Sequence, residues 1–448
     1  MKWTQPLAVT LALVASAPAA LAQEDKSNEM WASFYEKLTS VIKQGNKDPE
    51  LVVSLCVPGT PLLPLKQSDP LDAGYVNELL SMAPKYNTVW TPSDRPIADI
   101  YKLILEKHQV VGVTPLTPAE QAELDKAVQE TSGDKIEAYD AWKLRYEDAA
   151  MAVQEEKLQD FARKEGRGGT FNAKPSTMAA MTKAKSGWES RVPVRWEGKD
   201  EPGGNRLQVE KNMSTIREFE ARDPTSWWAD LQDKFRKGMF NDTYVIQTFP
   251  ALDLWADDKG WVKFSFQASD KVDTSSLSER DIAAAVAVKT GKLDLAGKFG
   301  MSDKLAKTFG SDKSMKITME MKRVYFRRPW MDAQVFYART WRWAPGSGVK
   351  ISDGQGNGVL PMISNSLIIV RNVVFTSKAL ENSSEIKEQS LSAELAVSYG
   401  PFTVNGSYSH HNKKTQMHAK MAKGSISIPD PQIVAYVSTV VPKCPNPK

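Results

Sequence analysis

The chain has 448 residues, 41% of them hydrophobic and 25% charged, an ordinary globular composition. That length exceeds the roughly 250–300 residues one core usually serves, so two packed regions are expected. Its 58 basic and 54 acidic residues leave a formal charge of +4, so no global field argues for nucleic acid as a partner and any basic site is local.

Met1-Lys2-Trp3, the apolar stretch Leu7 to Ala15, and Ala20-Leu21-Ala22 before Gln23-Glu24-Asp25 read as a secretory signal peptide over residues 1–22. The mature chain is therefore expected to be secreted or periplasmic, where cytosolic cofactor chemistry loses weight, and no cofactor is assigned. The first apolar run is too short for a bilayer, which needs about 20 apolar residues, and no second run of that kind follows. A soluble or peripheral protein is expected. In an oxidising compartment the two cysteines, Cys56 and Cys444, are expected to form a disulfide, the alternative being two small buried hydrophobes.

From residue 23 to 238 the pattern is mainly helical. Ser27 can cap a helix carrying Met30, Trp31, Phe34, Leu38 and Ile42 at three- to four-residue intervals, and Gly45 ends it. Val57 to Pro64 breaks the chain, and short helical patterns follow at Ala73–Met82 and Ile97–Lys107. Thr117-Pro118-Ala119-Glu120 is a capping-box start, with Pro118 pre-setting the first helical φ. The stretch that follows runs to Arg163 with one break at Ser132-Gly133, and Tyr139, Trp142, Tyr146, Ala149 and Val153 form a single buried stripe. Gly166 to Gly169 reads as a joint, and Glu197 to Asn205 as a polar loop. Asp223-Pro224-Thr225-Ser226 opens a helix with Trp227, Leu231 and Phe235 on one side. The Trp227-Trp228 pair is expected to fill core more than to anchor at a membrane or stack on a sugar.

After Asn241 the period changes to two, over Tyr244–Phe249, Trp261–Phe266, Ile317–Phe326, Val335–Trp343, Leu367–Phe375 and Ile433–Val441. Leu367-Ile368-Ile369-Val370 suggests a strand covered on both faces. The fold class is α+β: a helical region over 23–238, then an antiparallel β-rich region over 239–448, sandwich-like or a strongly twisted sheet.

The candidate site is the segment Lys322 to Trp343, in which Arg323, Arg327, Arg328, Arg339 and Arg342 alternate with Tyr325, Trp330, Trp341 and Trp343 and Asp332 is the only acid. Guanidinium forks and aromatic faces suit anionic glycans, phosphates or lipid headgroups through bidentate hydrogen bonds, stacking and cation–π contact. Strand alternation would put Tyr337, Arg339, Trp341 and Trp343 on one face. The competing reading makes the aromatics core and pairs the arginines with distant acids.

Asp353-Gly354-Gln355-Gly356-Asn357-Gly358 superficially resembles a calcium loop, but Ser364 stands where the bidentate acid belongs, so a glycine turn is expected. His410 and His411 point to opposite faces of a strand and, with His418, read as loop residues; no metal is assigned. His108 lies near a helix end. No G-x-S-x-G, H-E-x-x-H or P-loop is present.

Two segments resemble membrane-inserting hairpins: Ala284–Lys289 with Lys292–Phe299 around Thr290-Gly291, and Leu391–Tyr399 with Phe402–His410 around Gly400-Pro401. Each arm approaches the roughly 9–11 residues that cross a bilayer as a tilted strand. Sequons stand at Asn212, Asn241, Asn382 and Asn405. The leading expectation is a non-catalytic binding or assembly protein recognising an anionic glycan, membrane surface or partner protein, with self-association left open. A hairpin-forming, membrane-perturbing protein is second and an extracellular hydrolase third.

Overall fold

The computed structural model describes residues 26–44, 47–66, 69–164, 171–220, 222–240, 243–270, 272–293, 295, 312–382, 397–410, 413–422 and 424–447. The fold is α+β, with a helix-rich first half and a β-rich second half. Its centre is an antiparallel sheet of β1 (Leu51–Pro61), β2 (Val262–Gln267), β3 (Lys316–Arg327), β4 (Met362–Thr376) and β5 (Gln432–Val440), in the order β1-β5-β4-β3-β2. The helices are α1 (Lys26–Lys43), α2 (Pro70–Ser81), α3 (Ile97–Lys107), α4 (Pro118–Thr131), α5 (Asp134–Arg163), α6 (Pro175–Glu189), α7 (Arg206–Glu220), α8 (Thr225–Lys237), α9 (Glu279–Lys289) and α10 (Lys378–Asn382).

Alternation along β4 explains why the sheet is buried on both sides. Ile368 and Val370 join a core with Phe264 and Phe266 of β2, Ile317, Met319 and Met321 of β3, and Trp31, Phe34 and Leu38 of α1. Leu367 and Ile369 join the opposite core with Val324, Phe326, Tyr436, Trp255, and Tyr75 and Leu80 of α2. A small three-stranded sheet, Val397–Tyr399, Phe402–His410 and Lys413–Met417, packs into the first core through Tyr399, Phe402, Val404 and Met417. Two further cores lie away from the sheet. One gathers α3 and α8 around Trp228, Trp330 and Trp341, and the other binds α5, α6 and α7 through Tyr139, Trp142 and Trp188.

At Thr117 the expected reciprocal capping box with Glu120 forms, and along α5 Tyr139 and Trp142 of the expected stripe are buried while Tyr146, Ala149 and Val153 are partly exposed. Other expectations are corrected. β1 lies in the stretch read as helical and broken, because its pairing with β5 skips from Leu55 to Thr60 and so accommodates Pro58-Gly59 as a bulge. Ala284–Lys289 is the body of helix α9, which Ser278 and Asp281 start with a second capping box. Within Val335–Trp343 only Trp341–Trp343 is strand, paired with His108–Val110, because Ala333–Phe336 forms a 3-10 turn capped by Asp332.

The Cys56–Cys444 disulfide is also absent; both thiols are free and buried. The register gives the reason. Leu55 lies opposite Ala435, so Cys56 falls near Val434, whereas Cys444 follows the far end of β5 at Val440. At about 3.3 Å per residue, that stretch of strand alone separates them by roughly 20 Å, far beyond bridging distance. Cys56 fills the core under α2 and Cys444 the core under Leu360 and Ile351.

Candidate functional site

The basic and aromatic residues of Lys322–Trp343 part company in the fold. Arg323 donates from Nε to Ser366 Oγ (3.0 Å) and from Nη1 to the Ile42 carbonyl (3.1 Å), and its guanidinium lies over the Tyr325 ring at 4.6 Å. Arg328 donates from Nη1 to Ser364 O (2.8 Å) and from Nη2 to Leu80 O (2.6 Å). Ile42 and Leu80 belong to the last turns of α1 and α2, whose carbonyls carry the negative end of the helix dipole. Arg323 of β3 and Arg328, the residue just past its end, thus each terminate a helix. Burial pushes both guanidinium groups down, Arg328 to about 10.

Trp330 and Trp341 are core; Trp341 donates from Nε1 to Val335 O, and Trp330 packs against Tyr101, Phe235 and Tyr244. Trp343 is half-buried and donates to Val349 O, along a cleft of about 460 Å³ that it shares with Lys350, Asp353 and Lys443. Arg327 is exposed and bonded to Gln247 and Glu147. What remains on the surface is Tyr337, Arg339 and Arg342, the last bonded to Gln109. The nine residues therefore do not share one face, since helix termini and the core beneath α3 and α8 take most of them.

Asp353 is engaged by its own turn, accepting from the backbone of Gln355 and Asn357, Asn357 Nδ2 and Lys350 Nζ. Those hydrogen bonds hold its carboxyl well below the usual range. His108 stacks on Trp228 with ring centroids 3.6 Å apart, and burial lowers its pKa. Asn212 and Asn405 are buried, Asn212 donating to Glu130 and Asn405 accepting from Ala419 N, so these two sequons are structural in the folded chain. No cluster of three or more metal-ligating side chains occurs among the described residues.

A different feature brings chemistry-bearing segments together. β2 leads into residues 268–315 before returning as β3, and β4 leads into residues 377–424 before returning as the strand Ser425–Ile428. The two inserts are equal in length. Gln267 pairs with Lys316, Lys316 with Thr376, and Thr376 with Ser425, so all four insert ends leave the same end of the sheet. The pairing runs one step into each insert, through Ala268 N to Met315 O (2.8 Å) and Ser377 N to Gly424 O (3.1 Å). Asp312 joins the two roots by accepting from Ala379 N (3.0 Å) and from Ser377 Oγ. Its burial would raise the carboxyl pKa, but the hydrogen bonds from Ser314, Ser377 and Ala379 prevail and hold it at about 2.

Both hairpin-like segments lie in these inserts. Val397–Tyr399 pairs with Phe402–His410 as expected, while 391–396 and 296–299 lie outside the described residues. Sequence reasoning found the segments but not their common root, which only the pairing of distant strands creates. No helix among the described residues is long and apolar enough to cross a membrane. Comparison with protein-family models, curated proteins and solved structures finds no match.

Proposed function

We propose that this is a secreted, non-catalytic protein that perturbs membranes by extending its central sheet with the two inserts, several copies together closing a β-barrel pore. The observation that carries this reading is the common root: two antiparallel strand pairs end side by side, each already paired one step into an insert. Converting either insert into a hairpin would continue an existing ladder without changing its register.

The sequences of the inserts suit that role. Leu293, Leu295 and Phe299 alternate with Asp294, Ala296 and Lys298, while Leu391, Ala393, Leu395, Val397 and Tyr399 alternate with Ser392, Glu394, Ala396 and Ser398. Such dyads give one face for lipid and one for water. Two hairpins supply four strands per chain, too few to close a barrel alone, and an open sheet edge is not tolerated in hydrocarbon, so assembly is part of the reading. First contact with an anionic surface falls to the exposed Tyr337, Arg339 and Arg342.

The test is release of an encapsulated dye from phosphatidylserine-containing vesicles, with dextrans of graded size as a second cargo. Release with a size cut-off supports the reading. Binding without any release returns the protein to the class of surface binders, and neither binding nor release rejects both.

A further inference from the structure

We infer that α1, the first described helix, is a clasp that holds both inserts in their folded form, so that its detachment controls their extension; the inference rests on the pore-forming reading. The two faces of α1 do different jobs. Glu29, Lys37, Ser40 and Lys43 lie within one arc of the helix, and Trp31, Phe34, Leu38 and Ile42 on the opposite side.

The polar arc grips the first insert along its length. Lys37 Nζ donates to Asp270 (2.6 Å), the hydroxyls of Ser40 and Ser276 are 2.7 Å apart, Lys43 pairs with Asp281 (2.7 Å), and Lys289 with Glu29 (3.2 Å). α1 and α9 thus run antiparallel, and the grip tightens from the exposed Glu29 end to the Lys43–Asp281 pair, whose side chains are 0% and 4% exposed. The apolar arc grips the second insert. The Trp31 ring meets Tyr399 edge-on at 5.0 Å, and Phe34 meets Phe402 at 5.8 Å. Gly400, at φ +58°, sits so close that a Cβ there would fall 2.3 Å from the indole of Trp31. Its neighbour Pro401 is pinned from the other side, because a Cβ on Gly59 of β1 would fall 2.6 Å from its carbonyl oxygen. The turn of the second hairpin is therefore seated between α1 and β1.

One helix thus contacts the two segments that must move, through chemistry of two kinds. The solvent-reachable contacts with the first insert, Glu29–Lys289 and Lys37–Asp270, are exchangeable with water or lipid headgroups, the enclosed Lys43–Asp281 pair opens only as α1 lifts, and the aromatic contacts with the second insert are exchangeable only with an apolar phase. Release is then coupled: an anionic surface competes for the lysines of α1, and the acyl region competes for Tyr399 and Phe402.

The experiment cross-links the clasp in the full chain. In S40C/S276C, oxidation joins α1 to the first insert where the two hydroxyls already touch; a second variant, K37C/D270C, is bridged with a bismaleimide in case the first does not oxidise. Dye release from phosphatidylserine-containing vesicles is measured before and after locking, with vesicle binding by flotation alongside. The expected result is at least a ten-fold loss of release in the locked forms, unchanged flotation, and full recovery of S40C/S276C on reduction. Locked protein that releases dye as fast as its unlocked form overturns the clasp and leaves the pore reading standing. A parent chain that binds and never releases dye overturns the pore reading, and the clasp with it.

Discussion

Replacing Asp281 by Ala perturbs the most buried charge contact between α1 and the first insert. Asp281 Oδ2 accepts from Lys43 Nζ at 2.7 Å, Ser278 Oγ at 2.6 Å and Ser278 N at 3.0 Å. Without it the Lys43 ammonium, fully enclosed, keeps the Asp48 carbonyl at 3.3 Å as its hydrogen-bond partner among the described residues. Leaving one member of a buried pair uncompensated costs about 3–5 kcal/mol, and losing its side of the capping box adds about 1 kcal/mol. Against a total stability of about 5–15 kcal/mol, an effect of about 4–6 kcal/mol is large. Urea unfolding followed by tryptophan fluorescence should show it as a lower midpoint. The double substitution K43M/D281L removes both charges and should recover most of the loss, since apolar replacements of a buried pair are often neutral. An Asp281→Ala penalty below about 1 kcal/mol, or a double variant no better than the single, would refute this account of the pair.

Glu220 should make the fold pH-sensitive. Burial first, then the nearby Asp230 and Asp332, raise its carboxyl from 4.5 to about 7, so the native state holds this proton where the unfolded chain releases it. Stability should therefore fall as pH rises from about 4.5 to 7, by about 1–2 kcal/mol once solvent screening of this half-exposed group is discounted; Glu220→Gln should flatten that slope in melts across the range, and an unchanged slope sinks the assignment. Burial raises the Cys56 and Cys444 thiols, Cys444 to about 12, so an aromatic disulfide reagent should find almost no reactive thiol at pH 8 and two after denaturation; a rapidly reacting thiol in native protein, or none after denaturation without reductant, contradicts this. R339Q/R342Q should leave the melting temperature within about 2 °C, because both side chains are exposed, and weaken flotation with anionic vesicles in a salt-dependent way. Unfolding without an isolated binding defect would make these arginines structural.

The parts of the fold legible in the sequence are those with local causes. The capping box at Thr117, the apolar face of α1 and the doubly buried run Leu367–Val370 each declare themselves within a few residues. β1 escaped because Pro58-Gly59 interrupts it, and a bulge that tolerates both is only defined by its partner β5. For α9 a usable signal existed: Ser278 stands three residues before Asp281, a helix start that outranks the alternating Ala and Val positions after it. The candidate site was the least legible part. Five clustered arginines look like a surface because their acids are missing locally, yet Arg323 and Arg328 each donate to a helix-end carbonyl far along the chain, at Ile42 and Leu80. The same long-range pairing that hides those arginines also brings the roots of the two inserts to one end of the sheet.

The central claim, that the inserts become strands at a membrane, is tested most directly by placing an environment-sensitive fluorophore on single cysteines at successive positions from Ile282 to Lys289. In solution this segment is helix α9, and emission should follow a period near 3.6, with Ala285 and Val288 in an apolar setting and Val286 in water. With vesicles present the expected period is two, Ile282, Ala284, Val286 and Val288 blue-shifted and Ala283, Ala285 and Ala287 not. A pattern that keeps the helical period, or does not change while dye is being released, contradicts it.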